Sequence, residues 1–238
     1  NTKPNAAHRA LADIEKIKKK LTVITQNIDH FHQLAGNIDV IEFHGTTAHL
    51  LCEKCQQKYP ADEKTLEQIP PLCPACKSVL KPDFVFFGEG IPPDAYARSF
   101  QTAATCDVMI VVGTSGEVMP ANMIPQEARR YGAKIIEINP EKSVFTFGPR
   151  DIYLKGKAGE ILTKIVEELK NNSQVPAAPN RHLALVQLVH RNPSHTNFAG
   201  RRNIDAGDHI DQCGFPAAGF ADDADELARV EIDADPFE

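Results

Sequence analysis

The sequence has no tryptophan, and it has only three methionines and four tyrosines among 238 residues. It contains no apolar run of the roughly 20 residues that a helix needs to cross a bilayer. Its first ten residues, NTKPNAAHRA, lack the charged start and apolar core of a secretory signal. These features argue against membrane contact and predict a cytoplasmic protein, and 42% hydrophobic residues are enough to bury a core.

Basic residues are scarce beyond residue 173, and lysine is absent there. Up to residue 173 there are 21 Lys and Arg against 21 Asp and Glu, whereas residues 174–238 have 5 against 11. The whole net charge of −6 therefore lies in the last part of the chain. This change predicts a linker and an acidic, disordered tail over 171–238, with one short helix at HLALVQLVH. The neutral remainder gives no reason to expect a nucleic-acid partner.

Short apolar runs alternate with amphipathic segments before residue 171. Because the runs are apolar on both faces and are separated by helices, they predict an α/β fold with a parallel sheet. A polar stretch at 48–83 interrupts the pattern, so we expect a sheet domain of residues 1–47 and 84–170 with a small module inserted. Strands are predicted at 21–25, 40–45, 83–90, 106–116 and 133–140, and helices at 4–20, 120–132 and 158–171.

The inserted stretch carries two CxxC pairs, Cys52 with Cys55 and Cys73 with Cys76, separated by 17 residues. This spacing allows two knuckles to present four thiolates to one Zn²⁺ ion. With sulfur in all four positions no site remains open for water, so the predicted role of the metal is structural. Unconnected thiols are the alternative.

Polar residues follow two of the predicted strands. Gly113, Thr114 and Ser115 come after the strand at 106–116, and Asn139 and Glu141 end the next one. Open α/β sheets bind ligands at the carboxyl ends of their strands, where amides and hydroxyls can face phosphate or ribose. Two such turns on consecutive strands favour a nucleotide site over plain turns.

A third polar group follows the strand at 21–25. Gln26, Asn27 and Asp29 are suited to bind an amide and sugar hydroxyls, although capping of a following helix is an alternative. His44 ends another extended run. Since histidine titrates near neutrality, His44 is a candidate general base, and a hydrogen-bonded turn histidine is the alternative.

Several segments together resemble the sirtuin family, the NAD-dependent protein lysine deacylases. They are TQNIDHFHQLAG, EFHG, the two CxxC pairs, PDFVFFGEGIP, VVGTSGEVMP, INPE and KGKAGEIL, in the family's order and spacing over residues 4–170. The resemblance implies a Rossmann-like domain with an inserted zinc module. It also implies that NAD and an acyl-lysine protein or peptide bind between the two.

The resemblance implies a reaction and a role for each matching residue. In sirtuins the acyl oxygen attacks the ribose carbon that bears nicotinamide, nicotinamide leaves, and a histidine matching His44 acts as general base on a ribose hydroxyl. The products are deacylated lysine and O-acyl-ADP-ribose. The matching cofactor residues are Gln26, Asn27 and Asp29 near ribose and nicotinamide, Gly113, Thr114 and Ser115 in the nucleotide turn, Asn139 and Glu141 at the adenosine ribose, and Ala158 at adenine.

The resemblance also assigns a substrate segment. Val85, Phe86, Phe87, Gly88 and Glu89 match the residues that pair with the substrate peptide by strand addition. Phe87 stands where many sirtuins have tryptophan. We expect this segment to bind the peptide backbone next to the acyl-lysine.

The sequence departs from the family at both ends. Sirtuins open with a strand and a glycine-rich phosphate turn, which do not precede the first helix here, and residues 174–238 match nothing in the family. We therefore expect a sheet that is incomplete at its N-terminus and a pyrophosphate without its main cradle. The alternatives to a deacylase are an inactive fragment of one, a protein ADP-ribosyltransferase and a non-catalytic zinc-containing binding module.

Overall fold

The structure, a computed structural model, describes residues 3–18, 20–143, 148, 151–171 and 183–187. These residues form one sheet of six parallel strands and one of three antiparallel strands. The parallel sheet and its helices confirm the predicted α/β fold class. No helix in the described ranges has the length and apolar character needed to span a membrane.

The three helices predicted are present, and α2 and α3 are two further helices. The sequence did not predict the helix at 93–105, which starts with proline at its first position, where the missing N–H is not needed. The helices are α1 (Ala6–Ile17), α2 (Phe31–Ala35), α3 (Pro93–Thr105), α4 (Met123–Arg130) and α5 (Ala158–Asn171).

The strands divide between the two sheets. The parallel sheet contains β1 (Leu21–Thr25), β2 (Val40–Glu42), β6 (Val108–Val112), β7 (Lys134–Asn139), β8 (Ile152–Lys155) and β9 (Leu183–Gln187). The antiparallel sheet contains β3 (Gly45–Leu51), β4 (Lys58–Pro60) and β5 (Lys81–Phe84). The extended run expected at 83–90 is therefore a strand only as far as Phe84.

The order of the parallel sheet is β2-β1-β9-β6-β7-β8, so β9 takes a central position. The sequence analysis predicts a short helix here, and that prediction is wrong. Five residues placed between two open strand edges form backbone hydrogen bonds with both neighbours. This stabilisation outweighs their local preference for a helix. The resemblance predicts a sheet that lacks a strand at its N-terminus. In the structure, residues from the segment 171–238 supply a central strand of the sheet.

Helices cover both faces of the six-stranded sheet. On one face the core includes Ala103 of α3 and Ile124 of α4, and on the other it includes Leu11 of α1 and Leu162 of α5. All four side chains are nearly inaccessible to solvent. Because strand side chains alternate between two buried faces, β6 is apolar at every position, and β1 is buried throughout with two threonines among its five residues.

A pair of buried histidines joins α1 to α2. His8 is 3% exposed and His32 is 1% exposed, and their ring centroids lie 4.7 Å apart. His8 also completes a capping box at the start of α1, where its amide donates to Asn5 Oδ1 and its Nδ1 lies 3.3 Å from the Asn5 amide nitrogen and 2.8 Å from Asn5 Oδ1. Burial, followed by the neighbouring His32 and Arg9, lowers the pKa of His8 from 6.5 to about 3.

The low pKa of His8 predicts a loss of stability in mild acid. Between pH 6.5 and 3 the unfolded chain binds a proton at His8 that the folded chain does not, so the free energy of unfolding falls as the pH falls. We expect a loss of about 2 kcal/mol between pH 7 and pH 5 from this group, at about 1.4 kcal/mol per pKa unit. Urea unfolding at both values measures it.

The matched variant for this measurement is His8→Gln. Glutamine at this position preserves the capping-box pattern but does not titrate. The difference in stability between pH 7 and pH 5 should therefore be smaller in the variant by about 2 kcal/mol. Equal losses in the two proteins would contradict the assignment to His8.

Candidate active site

The predicted site residues converge on the carboxyl edge of the parallel sheet. Gln26 and Asn27 follow β1, Gly113 and Thr114 follow β6, and Asn139 ends β7. One strand, β9, separates β1 from β6. With neighbouring strands about 4.8 Å apart, the ends of β1 and β6 lie roughly 10 Å from one another. The site therefore has two halves, one after β1 and one after β6 and β7.

The half after β6 is a tight turn bonded to the neighbouring strand. Gly113 has a φ of 61°, and its amide donates to Ile138 O at 3.1 Å. Thr114 Oγ1 accepts from the Gly116 amide at 2.9 Å, and Asn139 Nδ2 donates to Thr114 O at 2.8 Å. The structure thus brings the Gly-Thr-Ser turn and Asn139 together.

Two other predicted residues lie further from this turn. Glu141 is exposed beyond β7, and Ala158 is the half-buried first residue of α5. No hydrogen bond among the described residues joins either of them to the turn. Sequence reasoning missed Tyr153, whose hydroxyl donates to Asn139 O at 3.1 Å. Its position on the neighbouring strand β8, paired with β7, was the available signal.

The half after β1 is held by local hydrogen bonds. Gln26 is 8% exposed, and the Asn27 amide donates to Thr25 Oγ1 at 3.1 Å. Asp29 Oδ1 accepts from the amide of Phe31, the first residue of α2, at 3.0 Å. Asp29 therefore does bind the start of a helix, as the alternative interpretation proposes. Burial raises the pKa of its carboxyl group.

His44 is held in one orientation beside this half. It is 6% exposed, and its Nδ1 lies 3.2 Å from the carbonyl oxygen of Gln26. A carbonyl can only accept, so Nδ1 carries the proton and Nε2 carries the lone pair in the neutral ring. Burial lowers the pKa of His44, which keeps the imidazole neutral at neutral pH. A neutral, oriented imidazole is suited to accept a proton.

The other two histidines of the region have different environments. His30 is half-buried, and its Nδ1 lies 3.0 Å from Glu42 Oε1. His32 is buried against His8. His44, by contrast, has its ring nitrogen against the backbone carbonyl of a predicted cofactor residue, Gln26.

The chain passes from the parallel sheet to the antiparallel one at His44 and Gly45. The carbonyl of His44 accepts from the Val85 amide at 2.9 Å. Gly45 has a φ of 78°, and a Cβ there would come within 2.2 Å of Asp83 O. Only glycine permits this close approach, which places the predicted substrate segment directly beside His44.

The substrate segment is a loop that follows β5. Val85 is buried, whereas the residues after Phe86 are exposed, including Phe87 at 64%. Glu89 stabilises the loop, because its carboxylate accepts from the Phe86 amide at 3.0 Å and from Lys81 Nζ at 2.6 Å. The loop after Phe86 therefore lies at the surface in a fixed shape. The turn residue Gly88 has a φ of 88°.

The four cysteines form a cluster suited to one metal ion. Cys52 Sγ lies 3.4 Å from Cys76 Sγ, Cys55 Sγ lies 3.6 Å from Cys73 Sγ, and all four sulfurs lie within 4.8 Å of one another. Tetrahedral zinc with Zn–S bonds of about 2.3 Å places its sulfurs roughly 3.8 Å apart. The cluster fits a structural Zn²⁺ ion.

The two CxxC pairs have the same local backbone. Gln56 and Lys77, each four residues after the first cysteine of a pair, have φ values of 60° and 62°. Their amides donate to the carbonyls of Cys52 and Cys73 at 2.7 and 2.9 Å. Each of the two matching turns presents two thiols to the cluster.

Two polar atoms near the ends of β1 and β6 are buried without a hydrogen bond. They are Oδ1 of Asn27 and Oγ of Ser115. Buried polar atoms are almost always satisfied in folded proteins. These two atoms are among several such atoms in the described residues, and each half of the site contains one of them.

Comparison with protein families adds to this geometry. The Sir2 family model matches residues 1–120. The chain belongs to the Sir2 family. The matched residues include the half of the site after β1, the Gly-Thr-Ser turn after β6 and the four cysteines, whereas Asn139, Glu141 and Ala158 lie beyond them.

Individual relatives support the same assignment. This sirtuin is 44% identical over 170 residues to NAD-dependent protein deacylase 2 of Pyrobaculum aerophilum, which is 71% of this chain and 68% of that protein. It is similar to the crystal structure of a Sir2 homolog–NAD complex, with a TM-score of 0.65 and 38% identity over 72% of this chain and 66% of that one. The sirtuin spans about two thirds of the length of both relatives.

A third relative was solved with a peptide. The structure of Sir2Af2 bound to a myristoylated histone peptide matches with a TM-score of 0.61 and 39% identity, over 72% of this chain and 74% of that one. The match covers most of the described residues of the sirtuin.

Proposed function

We propose that this sirtuin is an NAD-dependent protein lysine deacylase that transfers the acyl group to ADP-ribose and releases nicotinamide. The observation that carries the proposal is His44, a buried neutral imidazole oriented by Gln26 O and bonded through its own backbone to Val85 of the substrate segment. The names of the relatives, which include a protein deacylase and a Sir2 homolog–NAD complex, support it.

The residues present fit NAD. The buried, unbonded oxygens of Asn27 and Ser115 have the chemistry to bind amide and hydroxyl groups. The Gly-Thr-Ser turn offers backbone amides and a hydroxyl at the end of a parallel strand, where nucleotides bind in such sheets. We assign cofactor binding to Gln26, Asn27, Asp29, Gly113, Thr114, Ser115, Asn139, Glu141 and Ala158.

The residues of the chain have different roles in the reaction. Bound NAD would supply a ribose carbon that accepts the acyl oxygen, with nicotinamide as the leaving group. His44 Nε2, which carries the lone pair, accepts the proton of a ribose hydroxyl, and Gln26 O holds Nδ1–H in the required tautomer. The raised pKa of Asp29 reflects its burial beside this half, which suits a site shielded from water.

We assign the acyl-lysine peptide to the loop formed by Val85, Phe86, Phe87, Gly88 and Glu89. Its exposed backbone can add a strand, and the Val85 amide bonded to His44 O fixes the loop next to the general base. The myristoylated histone peptide in the Sir2Af2 structure supports a peptide substrate of this class. The free cysteine cluster suits a reducing, cytoplasmic location, and neither nucleic acid nor membrane is part of the proposal.

The decisive experiment follows nicotinamide and the acyl group together. The full chain, loaded with Zn²⁺, is incubated with NAD and an acetyl-lysine peptide. We expect nicotinamide, deacetylated peptide and O-acetyl-ADP-ribose in equal amounts, and no nicotinamide without the acetyl group.

Other outcomes identify the alternatives. Transfer of ³²P label from NAD to protein, with no acylated sugar, would indicate an ADP-ribosyltransferase. Binding of the peptide with no turnover of NAD would indicate a non-catalytic module or an inactive fragment. Either result would refute the deacylase proposal for this chain.

A further inference from the structure

The two halves of the candidate site lie on strands that do not touch one another. Gln26 and Asn27 follow β1, and the Gly113 turn follows β6. The connection between β1 and β6 within the sheet is β9, which pairs with both strands. The distance and register between the two halves therefore depend on β9.

The pairing of β9 is complete on both sides. All five residues of Leu183–Gln187 are in register with Leu21–Thr25 on one side and with Val108–Val112 on the other. Ala184 is 0% exposed and belongs to the core cluster on the α3 and α4 face. The strand is a central, buried member of the sheet and not a peripheral addition.

β9 ends in register with the ends of β1 and β6, the two strands that carry the site. Gln187 is in register with Thr25 on β1 and with Val112 on β6. The residues that follow these two partners, Gln26 and Gly113, begin the two halves. β9 therefore fixes the register between the carboxyl ends of β1 and β6.

We propose that Leu183–Gln187 is an inserted strand that holds the two halves of the site together, and that nucleotide binding by this chain requires the strand to be seated. The requirement for a seated strand rests on the sheet alone. The identity of the nucleotide as NAD rests on the proposed function.

The physical reason is the number of backbone groups that an empty position would leave open. In a parallel ladder, alternate residues direct their N–H and C=O groups to opposite neighbours. The Val23 amide donates to Asp39 O towards β2, so the amides of Thr22 and Ile24 face β9. Without β9 these buried groups would lose their partners, as would the facing edge of β6, and the edges of the site would separate.

The same alternation identifies amides that report on the strand. The Gly113 amide donates to Ile138 O towards β7, so the amide of Ile110 on β6 faces β9, whereas that of Val111 faces β7. Ile24 and Ile110 are therefore probes of β9. Val23 and Val111 are controls on the same two strands.

A graded series of substitutions at Leu185 tests the proposal in the full, zinc-loaded chain. Leu185→Val keeps the amide and the strand preference, Leu185→Gly weakens the strand, and Leu185→Pro removes the amide that faces β1. Hydrogen exchange at Ile24 and Ile110 should be unchanged with Val and should accelerate on the order of 100-fold with Pro, with Gly between them.

The exchange results sort into two groups. Acceleration at the probes in the order Val, Gly, Pro supports the proposal, with or without a smaller rise at Val23 and Val111. Unfolding of the whole Leu185→Pro variant also supports it, because a proline in an unseated segment would leave the fold intact. Unchanged exchange at Ile24 and Ile110 in both the Gly and Pro variants would overturn it.

Nucleotide affinity is measured separately by calorimetry with NAD. The Leu185→Gly variant should bind NAD about tenfold more weakly than the Leu185→Val control, because the two halves no longer share one register. Accelerated exchange with unchanged affinity would overturn the link between the strand and the nucleotide. Absence of NAD binding by the unsubstituted chain would instead refute the proposed function, while the exchange result still decides whether the strand is seated.

Discussion

Replacing His44 with alanine is expected to lower kcat for deacylation by about 10²- to 10⁴-fold, the usual contribution of a positioned general base. The ring is buried, neutral and oriented by Gln26 O, and alanine offers no group to accept the hydroxyl proton. Formation of deacylated peptide under saturating NAD and peptide measures the loss. The KM for the peptide should change little by comparison.

The matched control is His49→Ala, five residues away on β3. His49 is exposed, so the same substitution there should leave kcat within about twofold, as is usual for surface positions. A loss in His49→Ala equal to that in His44→Ala would contradict the assignment. Retention of the wild-type rate in His44→Ala would do the same.

The pH dependence of the wild-type reaction adds a second test of His44. Burial lowers the pKa of this histidine below its ordinary value of 6.5, and only the neutral ring can accept a proton. The acid limb of kcat/KM should therefore have its inflection below pH 6.5. An inflection above pH 6.5 that disappears in His44→Ala would show that the site raises the pKa of His44 instead.

Removing the metal is expected to unfold the module that contains β3, β4 and β5, and to abolish activity. The cluster core is small, with Leu50 and Leu80 as its buried aliphatic side chains beside Cys52 and Cys73. Structural zinc contributes about 10–16 kcal/mol of apparent binding free energy in small domains. A module with so little core is expected to lose its fold when a strong chelator removes the ion.

Cysteine variants separate this effect from the toxicity of a chelator. Cys52→Ser should reduce the zinc content to near zero and expose the module to protease. Cys106→Ser is the control, because Cys106 is buried outside the cluster and bonds to Ala103 O, which a serine hydroxyl can also do. Full zinc occupancy in Cys52→Ser would contradict a four-sulfur site.

The contacts between the module and the active site explain why activity should be lost with the metal. The substrate loop follows β5, and the Val85 amide bonds to His44 O where the chain passes between the two sheets. Unfolding of the module therefore removes the substrate loop and one of the contacts of the general base. Activity and protease resistance should be lost together as the chelator concentration rises.

Local sequence patterns predicted much of this structure. The doubled CxxC spacing predicted the metal cluster, because four thiols in two knuckles have few other uses. The strand at 21–25 and the helix at 158–171 were predicted with the bounds that are found. These elements have a periodicity or spacing that is contained within their own residues.

Features that depend on distant partners could not be read from the sequence. LALVQ is apolar enough for either a helix or a strand, and its strand conformation comes from the open edges of β1 and β6. The sequence singled out His44, but the contacts that orient the histidines are made across the chain, with His44 against Gln26 O and His30 against Glu42. Composition alone placed the segment 171–238 outside the sheet.

The position of β9 also determines when the chain can complete its fold during synthesis. Thr22 pairs with Ala184, 162 residues later, and Val108 pairs with Leu183, 75 residues later. At ribosomal rates of about 5–20 residues per second, β1 waits roughly 8–30 s for its central partner. During that interval an apolar strand edge is open to pairing with other nascent chains, so rapid translation or chaperone binding should increase the yield of this protein.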